Sequence, residues 1–129
     1  MSYYIAKTLA KSFDEVVADV TAQLKEQGFG VLTDIDVQGT LKAKIGADIR
    51  KYRILGACNP RIAHEALLKE DRLGVLLPCN VIVRETVDKR VEVAMIDPVS
   101  SMERTDNPSL APVAERVREL LSAALERLQ

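Results

Sequence analysis

The chain is 129 residues long and 47% apolar, and its 18 Lys and Arg stand against 19 Asp and Glu for a formal charge of -1. That length matches one compact domain, residues 1–129, able to bury roughly two thirds of the surface it exposes when unfolded. The balanced charge excludes a global field that would gather nucleic acid or anionic lipid. Two cysteines are too few for a disulfide scaffold, and no stretch approaches the roughly 18 uninterrupted apolar residues of a membrane span. Residues 1–7 also lack the basic region and apolar run of a secretory signal, so a reducing, cytoplasmic setting without membrane or nucleic-acid partners is expected.

Tyr3 to Leu9 reads as a short strand. Ser12 and Glu15 then have capping-box spacing, and Phe13, Val16, Val17, Val20 and Leu24 recur at three- and four-residue steps. A helix with one buried face follows, ended by a left-handed turn at Gly28. Val31 to Ile35 is β-prone, after which Val37, Leu41 and Ile45 repeat every fourth residue up to Gly46, the pattern of a short helix weakened by Gly39. In the next strand Tyr52, Ile54, Gly56 and Cys58 share one face while Arg53, Leu55 and Ala57 share the other.

Asn59 as N-cap and Pro60 at the first helical position open a helix that reaches about Glu70. Pro78 keeps the start of the following apolar run out of a central strand. Asn80–Val87 and Arg90–Ile96 alternate and are joined by Asp88-Lys89, a hairpin that Asp97-Pro98 closes before a polar, turn-forming connection over 101–107. The final segment places Leu110, Val113, Val117, Leu120, Leu121, Ala124 and Leu128 on one face of a long helix. With Ser109 as its N-cap, Pro112 falls at the third helical position, where the missing N–H does little harm. This order predicts an α+β fold: a mainly antiparallel sheet with helices packed on one face. Its other face, carrying Tyr52 and Ile82, must be polar or buried by a partner.

Gly56-Ala57-Cys58-Asn59-Pro60, Leu77-Pro78-Cys79-Asn80-Val81 and Ile96-Asp97-Pro98 resemble the recurring motifs of the bacterial and archaeal family called domain of unknown function 302, over nearly the whole chain. The resemblance implies a β-α-β(4)-α fold of the group that includes the TATA-box-binding-protein-like architectures, here with short extra helices, and a homodimer. It implies no reaction and no catalytic residues. Fold grouping does not carry DNA binding with it, because the basic balance and intercalating aromatics that such binding uses are lacking.

Cys58 lies at the end of one strand and Cys79 just before the next, and the two are close in space if those strands are neighbours. Cys58 precedes a helix start, a position that favours thiolate, yet free cysteines equally pack as small buried hydrophobes. Asn59 fits a capping role, whereas the Asn80 amide, within a strand, needs a bulge, a turn or a pocket. A metal site would draw on Cys58, Cys79, Asp97 and His64, the single histidine. His64 lies about 130° around its helix from the apolar stripe and points outward, so neither a metal nor a cofactor is expected. Lys42, Lys44, Arg50, Lys51 and Arg53 read as a solvated basic run; with Arg61 beside a helix start they also offer a place for an anion.

The reading that results is a dimeric, non-catalytic module that binds or senses a small anionic or polar ligand. Its candidate site is the corner of Cys58, Asn59, Cys79 and Asn80 with Asp97 and Arg61. The alternatives are a thiol-dependent redox protein or enzyme using Cys58 or Cys79, and a structural interaction domain.

Overall fold

The computed structural model describes residues 2–129. Strands β1 (Tyr4–Leu9), β2 (Gly30–Asp36), β3 (Tyr52–Cys58), β4 (Cys79–Glu85) and β5 (Val91–Ile96) form one sheet in the order β1-β5-β4-β3-β2. Every neighbouring pair is antiparallel. Helix α1 (Phe13–Glu26) carries the chain from one edge of the sheet to the other, and α2 (Val37–Ile45) links β2 to β3. Helices α3 (Pro60–Lys69), α4 (Pro98–Met102) and α5 (Ala111–Glu126) complete an α+β fold.

Local signals account for most boundaries. The Ser12 hydroxyl accepts from the Glu15 N–H at 3.3 Å and donates to its carboxylate at 2.9 Å, which fixes the start of α1. Gly28 follows α1 at φ 86°, a conformation that L side chains rarely adopt. Two expectations need correction. Asp97-Pro98 does more than close the hairpin: the Asp97 carboxylate accepts from the Val99 N–H at 3.0 Å and Pro98 opens α4, repeating the device of Asn59-Pro60 within the stretch read as a turn. Ser109 is not the cap of the last helix. Asn107 accepts from the Ser109 N–H at 3.1 Å and organises a 3-10 turn over Pro108–Leu110, so α5 begins at Ala111 with Leu110 as its N-cap.

The core lies on one side of the sheet. Leu55 and Ala57 of β3, Val81 and Val83 of β4, and Val93 and Met95 of β5 are all buried there, as period-two alternation requires. Val16, Val20 and Leu24 of α1, with Val117, Leu121 and Ala124 of α5, close over them. Lys7 of β1 donates from Nζ to the carbonyls of Glu126 (3.2 Å) and Leu128 (2.5 Å), tying the end of the last helix to the first strand.

On the opposite side the strands approach without a covering helix, and one contact there leaves no space. A Cβ at Gly56 would overlap Thr33 Oγ1 on the neighbouring strand and lie 2.7 Å from Pro78 Cγ. Gly56→Ala is therefore expected to lower stability by about 1–3 kcal/mol, the range for overpacking. Adding Thr33→Ala should restore part of the loss, read as the shift in urea midpoint at unchanged slope.

Candidate functional site

The uncovered face is built by the residues that alternate with the core set. Tyr52 and Ile54 of β3, Ile82 of β4 and Ile96 of β5 are half-buried on it, around Ala94. Toward the edges Tyr4 and Ile35 remain 44% and 48% exposed. The centre is a shallow depression of about 660 Å³ that all three tyrosines of the chain line, together with Asn80, Arg84 and Glu92. Tyr3 and Tyr4 meet edge to face, their centroids 5.0 Å apart. Arg84 and Glu92 stand directly opposite on β4 and β5 and form an ion pair at 2.7 Å. The surface thus combines aromatic and aliphatic side chains with an ion pair, an amide and tyrosine hydroxyls.

The six residues singled out from the sequence divide among four places. Cys58, Asn59 and Cys79 line a narrow, half-open crevice of about 30 Å³ that Ile62 and Ala66 of α3 also border. The β3–β4 register sets Ala57 opposite Cys79 and so brings the two cysteines close, as the sequence spacing allowed. Asn80 looks out on the other side of the sheet, into the open depression. Asp97 lines neither space: besides capping α4, it meets Arg118 Nε at 3.5 Å and is 4% exposed, which joins the end of β5 to α5. Arg61 is exposed on the first turn of α3.

The side chain of Asn59 is largely committed to the fold. Its Oδ1 accepts from the Ile62 N–H at 3.4 Å, and its Nδ2 donates to the Gln27 carbonyl at 3.5 Å, bridging α3 to the end of α1. Three residues of the basic run are similarly engaged: Lys42 pairs with Asp48 at 2.9 Å, Arg53 pairs with Asp34 through two hydrogen bonds, and Lys51 lies 5.8 Å over the Phe13 ring. His64 is exposed. Among the described residues, no three His, Cys, Asp or Glu side chains gather in a group able to hold a metal, and no helix is long and apolar enough to cross a membrane.

Burial pushes the Cys79 thiol up to about 11, with the neighbouring Cys58 adding to the effect. The fold thus favours the neutral thiol. Its stabilising contribution is complete below the ordinary thiol value near 9 and is lost as pH rises through about 11. Thermal midpoints measured from pH 8 upward should fall more steeply for the wild type than for Cys79→Ala; parallel curves would contradict a thiol buried in this way. Asn59→Ala is expected to cost about 1 kcal/mol through loss of the α3 cap, measured by urea unfolding.

The family model described as domain of unknown function DUF302 matches residues 5–128. A crystal structure of an uncharacterized conserved DUF302 protein from Bacillus stearothermophilus is similar over 100% of each chain, with a TM-score of 0.93 at 26% sequence identity. No curated protein matches. With the sheet order, the capped Asn59-Pro60 and Asp97-Pro98 turns and a family match over nearly its full length, the chain belongs to the DUF302 family.

Proposed function

We propose that this domain is a non-catalytic binding module that pairs with a second copy across its open sheet face and holds a small polar or anionic ligand in the depression. The observation that carries this reading is the uncovered face itself: Tyr52, Ile54, Ile82 and Ile96 occupy positions where a solvated sheet would carry charged and hydroxyl side chains. A two-fold axis through such a face presents the same patch from both copies, which satisfies the self-complementarity of a closed dimer. The Arg84–Glu92 pair supports it, because opposite charges side by side can exchange partners across that axis.

The ligand reading rests on the volume and chemistry of the depression. About 660 Å³ lies within the range of small-molecule sites, and the apolar floor leaves orientation to the Asn80 amide, Arg84 and the tyrosine hydroxyls. Thiol catalysis has less support. A buried Cys79 at about 11 holds on the order of one part in ten thousand as thiolate at pH 7, far too little for an activated nucleophile.

Sedimentation equilibrium of the wild type and of Ile82→Arg tests the pairing. The wild type is expected to be a dimer, and the variant a folded monomer with the far-ultraviolet spectrum of the parent; a wild type that stays monomeric at every concentration overturns the proposal. Native mass spectrometry against the denatured mass reports whether the dimer retains a ligand.

A further inference from the structure

Three sulfur atoms belong to residues that line one crevice. Besides Cys58 and Cys79, the space of about 30 Å³ beneath α3 is lined by Met102, the last residue of α4. Both cysteines of the chain and one of its three methionines therefore border the same space, brought from β3, β4 and α4. Strict alternation would direct Cys58 to the open face, but it is the last residue of β3, where the pleat gives way to α3, and it borders the crevice under that helix. The remaining walls are mostly apolar, with Phe29, Ile62, Val113 and Val117 among them.

We propose that Cys58, Cys79 and Met102 form a three-sulfur site for a single soft cation, Cu(I). A space of this size exceeds the roughly 10–15 Å³ that one water requires and admits a single ion. Its walls hold water poorly, because Asn59, the polar residue among them, spends its amide on the α3 cap and on Gln27. Hard cations need oxygen ligands, which these walls do not offer, and structural zinc takes four ligands while the chain's one histidine points into solvent. Two thiolates and a thioether are the soft donor set that selects Cu(I).

Loading is balanced as follows: each cysteine releases a proton to solvent and forms a bond to the ion, while the thioether donates as a neutral ligand and no electron is transferred. The filled site carries one net negative charge. Cys58 precedes the N-terminus of α3, whose partial positive charge offsets part of it. Because two protons leave, affinity should rise with pH. The site faces the helix side of the sheet and does not depend on pairing through the open face.

The test is an anaerobic titration of the reduced full chain with Cu(I) against a chromophoric Cu(I) chelator, with X-ray absorption on the product. One ion per chain in a shell of sulfur alone is expected, together with a higher thermal midpoint. Cys58→Ser and Cys79→Ser should each lose stoichiometric binding. Met102→Leu conserves volume and should keep the fold while weakening binding about 10–100-fold, the range seen when a supporting group of a metal site is removed. Absence of a one-to-one complex, nitrogen or oxygen in the shell, or wild-type affinity in Met102→Leu or Cys79→Ser overturns the proposal.

Discussion

Burial of one side of the sheet beneath α1 and α5 is the constraint on which the rest of the molecule depends. Leu55, Val81, Val83, Val93 and Met95 are at most 1% exposed under those helices. Once these odd-numbered positions are committed inward, the alternating pleat commits Ile54, Ile82, Ala94 and Ile96 outward together. No independent choice is left for the second face. That those outward positions are apolar is therefore a property of the sequence that the core does not require, and it gives the open face its functional interest.

Much of this architecture is legible in local pattern. The helix stripes, the capped start at Ser12 and the alternation of β3 to β5 each depend on residues a few positions apart, where sterics and hydrogen bonding act directly. The short α4 is less legible because an Asx-Pro pair serves both turns and helix starts, and burial of Pro98 and Met102 determines which one forms. The start of α5 shifts for a related reason: Asn107 takes the N–H of Ser109, the residue that would otherwise have acted as the cap.

The sites are less legible than the elements, because they are defined by strand order. Tyr3, Tyr4 and Tyr52 come together only because β1 lies beside β5, a pairing that no local signal encodes. Alternation alone places Tyr52 and Ile82 on the open face, while Arg84 and Glu92 become a pair only once the β4–β5 register is known. The motif residues Asn59 and Asp97 prove to be twin anchors, each capping a helix and each tied to a second element, Gln27 in one case and Arg118 in the other. A recurring motif can thus mark how a fold is held as readily as what it binds.

The pairing of β1 with β5 has a further consequence. The first strand of the sheet finds its partner only after β2, β3 and β4 have been made, and its Lys7 reaches its carbonyls only when α5 is complete. Closure of the sheet is thus a long-range event, entropically expensive and late in synthesis. Until then β1 has no partner and β4 presents an unpaired edge, and the growing chain passes through a stage in which that edge is open to the wrong strand.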